Sequence, residues 1–489
     1  MIKLVQFAKK YWFEISVFLI LIFAIFLRFY NYENRWGLAY DQARDVIVAK
    51  EAIRQFKIPL IGPFSSAGQF VYGPQWFWVL MFLVSVFPSS IITPWIILTL
   101  LYVAMVFLLI IIGKELGGKF FAVILGVLSA VSPAQISQSI NLTSPSFVSI
   151  LSVLSIYFLI KFLKDGKKLF YFLMSFCVGT AINIHFQALG LLFLIPIAFI
   201  FGKRSLKTLF SSVIGLMSPF IPLIIFDLSN KFFESRNLLD YYLYGQYRIY
   251  VPNRWLTYAG EYWPRAWSLI IGGEKIIGYL FMILVAFFIL FLFKKRENKK
   301  FMAVLLGFIF SFLTLRYYRG ERYDAYLVFL HPFVLILSSW TIWRLFKLNK
   351  ILAMLLLFAA VFFSIKLEIN EIKNATNVTA FNSSSLAKSI IETYPGKNFA
   401  LYDHAFKSNS YSLPLALYLD KEGKLSDDGY RVGFGSKLNT VDYPKIKNNK
   451  IGFDLRDLNT SSSAELQKNK WVLVNPSEIY KMTEDWYKK

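Results

Sequence analysis

Two carboxylates lie close together in Asp41-Gln42-Ala43-Arg44-Asp45. A carboxylate held at a membrane surface can act as a general base toward a hydroxyl. Asp41 also has a plainer reading, as a helix N-cap that satisfies free backbone N–H groups. The two readings conflict, because a carboxylate accepting such bonds has a depressed pKa and is a weaker base. Asp45, one turn on, is then the alternative base. A second constellation is Arg316, Arg319 and Arg322 with Tyr317, Tyr318 and Tyr323. Arginine grips phosphate oxygens in a planar fork, so this turn suits a phosphate group; a solvated ring at the membrane interface is the alternative. Asn183, His185 and Gln187 form a third group, where His185 is either a site residue or a satisfied buried histidine.

The first constellation sits in a long polar interruption, residues 30–76, between two apolar runs. Val46, Ala49, Ile53 and Phe56 recur at helical spacing, and Pro59 and Gly62-Pro63 end the pattern. The spacing predicts a helix lying in the membrane interface, apolar side down. Tyr72-Gly73-Pro74 is a turn that leads into the next apolar run.

The 489 residues are 56% hydrophobic and 18% aromatic, which excludes an ordinary soluble protein. Repeated apolar runs predict a polytopic α-helical membrane protein. The formal charge of +23 falls largely in short clusters between those runs, as cytoplasmic loops require, and does not imply nucleic acid. Some of this charge can face anionic lipid. The single cysteine, Cys177, excludes an intramolecular disulfide and a thiolate metal cluster. Trp12–Phe29 lacks a small-residue cleavage site and reads as a retained anchor.

Basic clusters place the N-terminus and the loop at 294–300 inside, and the loop at 30–76 outside. Parity then requires one early segment not to cross. Residues 120–131, shorter than the ~17 residues of a straight span, are the candidate for a half helix. Eleven crossings result, with a thirteen-span arrangement as the alternative. Residues 1–365 form the membrane domain, with a second external loop at 228–275 rich in Tyr and Trp. From residue 366 the chain turns polar, and 366–489 read as a small external α/β domain, with strands near 398–402, 431–434 and 471–474 and a helix at 411–419.

The order of these features resembles the GT-C glycosyltransferases, nearest the protein O-mannosyltransferase and aminoarabinose transferase branch. The matching residues are Asp41 to Asp45, Tyr72-Gly73-Pro74, and Arg319-Gly320-Glu321 to Tyr326 ahead of His331-Pro332. Gln42 departs from the adjacent acidic pair common in the family. The resemblance implies transfer of a sugar from a polyprenyl-phosphate-linked donor to a glycan, lipid or protein acceptor, at the outer face of the cell membrane. It implies Asp41 or Asp45 as base in an inverting reaction. Arg44, Arg316, Arg319 and Arg322 would hold the donor phosphate, and Tyr72, His185, Gln187, Tyr323 and Tyr326 would line the substrate site. No metal and no cofactor are expected. The rival readings are a transporter or flippase of lipid-linked saccharides, and a polymerase using them.

Overall fold

The structure is a computed structural model that describes residues 6–484, apart from 8, 66, 249–253, 293–297, 318–323, 405–408, 437–452 and 460–461. Run length and apolarity set its main body. Among the described residues six helices are long and apolar enough to cross a membrane: Trp12–Phe29, Thr93–Val131, Ser144–Asp165, Leu206–Ser229, Asp324–Leu348 and Lys350–Thr393. A seventh arises if the bent pair Tyr258–Ile270 and Lys275–Leu290 is one span. Shorter apolar helices, Gln75–Val86, Lys168–Ile184 and Phe186–Phe201, pack among them. The protein is a multi-pass helical membrane protein.

Two ends of the bundle are defined by their polar contacts. At one, Glu115 meets Lys164 at 2.6 Å and Lys300 at 2.9 Å. At the other, Trp95 donates to the Gly37 carbonyl at 2.7 Å and Tyr32 shares a 2.8 Å hydrogen bond with Thr99. The Thr93–Val131 helix is two arms. Gly118 has a φ of +85°, which favours glycine. The arms then fold back so closely that a Cβ on Gly113 would sit 2.8 Å from Ala122 Cα. The second arm runs beside the first helix from Glu14, 3.9 Å from Lys119, to Arg28, which donates to the carbonyls of Ser129 and Ala130.

That arrangement corrects the expected topology. Residues 120–131 accompany the first helix over most of its length and are not a half helix. The segment that fails to cross is Gln75–Val86. Trp76 near its start binds Asp45, and the chain beyond it reaches Trp95, bound to Gly37, so both flanks lie at one end of the bundle. At 12 residues it is itself below the ~17 of a straight span.

The helix carrying Asp41 spans Tyr40–Arg54, and it does not lie on lipid as expected. Residues 42–49 are all buried. Its charged face is covered by the C-terminal domain: Lys50 Nζ is 2.8 Å from Asp420, Arg54 pairs with the same carboxylate, and Ser477 donates to Glu51 at 2.6 Å. Protein carboxylates and hydroxyls replace the water that this face would otherwise require. The C-terminal domain holds a four-stranded sheet in the order β3-β2-β1-β4, with β1 Phe399–His404, β2 Tyr430–Ser436, β3 Phe453–Asp457 and β4 Trp471–Leu473. β1 and β2 are parallel, and the outer pairs are antiparallel. The strands read near 398–402, 431–434 and 471–474 and the helix at 411–419 are all present; β3 adds the strand that the sequence reading missed.

Candidate active site

The Tyr40–Arg54 helix is capped by Ala39, whose N–H donates to Gln42 Oε1 at 3.2 Å. Asp41 therefore lies inside the first turn and is not the N-cap. Gln42 satisfies the helix start from its third position, as a Glu or Gln there commonly does. Its amide also donates to Asn141 at 2.7 Å, tying the helix to the loop before Ser144–Asp165. Gln42 thus both starts the helix and ties it to that loop.

Asp41 and Asp45 have opposite environments. The Asp41 side chain is 67% exposed, whereas that of Asp45 is 6% exposed. Arg44 links them: Nη1 lies 2.9 Å from Asp41, while Nε at 2.9 Å and Nη2 at 2.7 Å both reach Asp45 Oδ1. Trp76 Nε1 donates to Asp45 Oδ2 at 2.8 Å. Both oxygens of Asp45 are engaged. Burial pushes its pKa above the ordinary carboxylate value, against the opposing pull of Arg44 and Trp76. Arg44 is itself buried, with its guanidinium over the rings of Tyr40 at 5.5 Å and Phe64 at 5.3 Å.

A tight ribbon joins this group to the second cluster. Gly62 N–H donates to the Tyr72 carbonyl at 2.8 Å, Tyr72 N–H to Pro63 at 2.9 Å, and Ser65 N–H to Phe70 at 2.9 Å. A Cβ on Gly62 would stand 2.2 Å from the Gly73 oxygen, so no other residue fits without moving backbone. Gly73 N–H donates to the Asn183 carbonyl at 2.7 Å. Tyr72 then stacks on His185 at 5.1 Å, and His185 lies 5.0 Å from the ring of Tyr326.

The structure therefore brings together Asp41, Arg44 and Asp45, and separately Tyr72, His185 and Tyr326. Gln187 lies two residues beyond His185, with a buried Oε1 that accepts no hydrogen bond among the described residues. Arg319, Arg322 and Tyr323 lie outside the described residues, as does the side chain of Arg316 at the end of the Lys299–Tyr317 helix. Asp227 caps the following helix, accepting from Glu234 N–H at 2.7 Å and Ser235 N–H at 3.2 Å.

Two neighbours of these clusters escaped the sequence reading. Trp76 looked like the first residue of a span. Glu234 is buried and accepts from Val71 N–H at 3.0 Å, beside the Tyr72 ribbon. Burial, with Asp227 nearby adding to it against the Val71 hydrogen bond, pushes its pKa up to about 8. An isolated acid a few residues after Asp227, entering an aromatic loop, was the available signal.

The helical bundle, the Tyr40–Arg54 and Gln75–Val86 helices beside its end and the appended α/β domain make a GT-C-like fold. The chain matches ArnT from Cupriavidus metallidurans, solved bound to undecaprenyl phosphate, at a TM-score of 0.61 and 10% identity, over 90% of this chain and 97% of that one. The apo state of the same protein matches at 0.61 and 10%, over 92% and 98%. An oligosaccharyltransferase from Archaeoglobus fulgidus matches at a TM-score of 0.50 and 15% identity, over 78% of this chain and 55% of that one. Identities this low carry the fold alone. No protein-family model and no curated protein matches the sequence.

Proposed function

We propose that this protein is an integral-membrane glycosyltransferase that moves a sugar from a polyprenyl-phosphate donor to an acceptor at the outer face of the cell membrane. One observation carries the reading: a solvent-facing carboxylate, Asp41, stands on a buried platform of Arg44, Asp45 and Trp76. The fold shared with a protein solved on undecaprenyl phosphate supports the donor class.

Asp41 is the base, because both oxygens of Asp45 are already spent on Arg44 and Trp76. Asp45 is a positioning residue that holds the guanidinium against Asp41. In the reaction, Asp41 takes the proton of an acceptor hydroxyl as that oxygen attacks the anomeric carbon. The bond from this carbon to the phosphate oxygen breaks on the opposite face, and the electron pair leaves with the phosphate, inverting the centre. With both carboxylates ionised the Asp41, Arg44 and Asp45 group carries one excess negative charge. Arg44 therefore contributes to phosphate binding only alongside other cations, and Arg316, Arg319 and Arg322 supply them. Tyr72, His185, Gln187, Tyr323 and Tyr326 line the sugar site.

Asp41→Asn keeps the size and polarity of the side chain but cannot take up a proton usefully. Protein yield and donor binding are expected to stay near wild type, with transfer reduced by ~10²–10⁴-fold. Near-full transfer by this variant, with a verified donor, would overturn the assignment and favour a transporter of lipid-linked saccharides. For topology, Glu33→Cys and Ser462→Cys should label from outside and Lys203→Cys from inside. The opposite pattern would reverse the orientation.

A further inference from the structure

A cavity of about 500 Å³ opens at the same end of the bundle, beyond the loop that Gln42 grips. It falls within the ~300–1,000 Å³ typical of small-ligand sites. Its walls come from the segment after the first helix, from residues 133–140, from the Asp324–Leu348 helices and from the end of Lys350–Asn374. The candidate active site flanks it twice. Asn141, bound to Gln42, follows Ile140 in the cavity wall, and Leu327 in the wall follows Tyr326, which contacts His185.

The charges in this cavity are mostly cancelled. Glu368 is paired with Arg35, and Asp324 lies 3.7 Å from Arg265. Glu371, exposed on the wall, makes no ion pair among the described residues. The remaining polar groups are neutral. His331 is 4% exposed, and its Nδ1 is 2.8 Å from Gln135 Nε2. The two side chains share this hydrogen bond. Among the described residues His331 Nε2 makes no hydrogen bond, in a residue that lines the cavity. Gln138 and Asn34 add amide groups, and Leu269, Leu327 and Leu367 add apolar wall. A chain of net charge +23 has thus left one cavity with no uncompensated cation among its described lining residues. Among those described residues a phosphate would find a surplus of carboxylate. A saccharide would find acceptors and donors for its hydroxyls and apolar surface for its C–H faces.

We infer that this cavity binds the acceptor, and that the acceptor presents an uncharged, hydroxyl-rich saccharide without phosphate. The assignment of the site as an acceptor site rests on the transferase reading; saccharide binding itself does not. The neutral sugar is then held by Glu368, His331 and Gln138.

The test uses the full chain in lipid nanodiscs and saturation-transfer NMR with three probes: a neutral disaccharide (maltose), glucosamine and glucose 6-phosphate. Maltose should bind and glucose 6-phosphate should not. Ser137→Trp, at an exposed position on the wall, should weaken maltose binding at least about tenfold. Glu371→Lys should admit glucose 6-phosphate. Glucose 6-phosphate binding as well as maltose to the wild type, glucosamine binding alone, or maltose binding untouched by Ser137→Trp would each overturn the inference, as would no binding at all. Asp41→Asn should leave maltose binding intact. If that variant also retains transfer, the base assignment fails while the saccharide site stands.

Discussion

Glu234 gives a prediction in which pH separates two effects. Its carboxyl group is buried, with Oε2 accepting from Val71 N–H and Oε1 without a partner among the described residues. Burial raises its pKa from 4.5 to about 8, so the folded protein holds this group protonated at neutral pH while the unfolded chain does not. The folded state then binds more protons than the unfolded state between those values. Its stabilising contribution is complete below pH 4.5 and is lost as pH rises through about 8. Each pH unit of that difference corresponds to about 1.4 kcal/mol, so ionisation in place costs on the order of 5 kcal/mol, and about 3 kcal/mol is lost between about pH 5.5 and pH 9. Glu234→Gln keeps the carbonyl acceptor for Val71 and cannot ionise. In detergent-purified protein, thermal melts across that range should show wild-type stability falling and the variant nearly flat, with the variant more stable at the alkaline end. Parallel curves for the two proteins would refute the argument.

Other perturbations address the platform and its cover. Trp76→Phe removes the donor to a buried carboxylate and should cost about 1.5–3 kcal/mol, read as a lower melting temperature; an unchanged melt would mean that Asp45 is not held through the indole. Asp420 is held ionised although burial works against it, because hydrogen bonds and charge from Lys50 and Arg54 outweigh that cost. Asp420→Asn should therefore destabilise by on the order of 1–3 kcal/mol, between the values for surface and buried pairs. It should also speed protease cleavage between residues 375 and 398, and wild-type resistance in the variant would count against this contact as the tie.

Much of the fold was legible because apolar runs and basic clusters report directly on solvation. Trp12–Phe29 and residues 120–131 both lie in helices, and the polar tail folds with the expected strands and helix. The errors arose where a choice depended on tertiary partners. Gln75–Val86 and residues 120–131 are both short and apolar, and only the contacts Trp76–Asp45 and Lys119–Glu14 show which one crosses. The face of the Asp41 helix bearing Lys50, Glu51 and Arg54 looked water-facing because its partners, Asp420 and Ser477, lie hundreds of residues away. At the site, the Asp41 to Asp45 motif was visible as a motif. The separation of roles was not, since it depends on the difference in burial between two chemically identical side chains.

Those distant partners bear on how the protein is made. Lys50 and Asp420 are 370 positions apart, and Glu51 and Ser477 are 426 apart. At about 5–20 residues per second, the Asp41 helix waits on the order of tens of seconds after its own synthesis before its cover exists. Until then Lys50, Glu51 and Arg54 have only water and their own helix, where Glu51 lies 3.6 Å from Arg54 and accepts from Gln55 at 2.8 Å, to solvate them. A chain that stops short of residue 420 should insert its spans yet leave this helix open to labelling at Lys50→Cys, which the complete chain protects. A stretch made hundreds of residues later would thus be what closes the foundation of the Asp41 to Asp45 site.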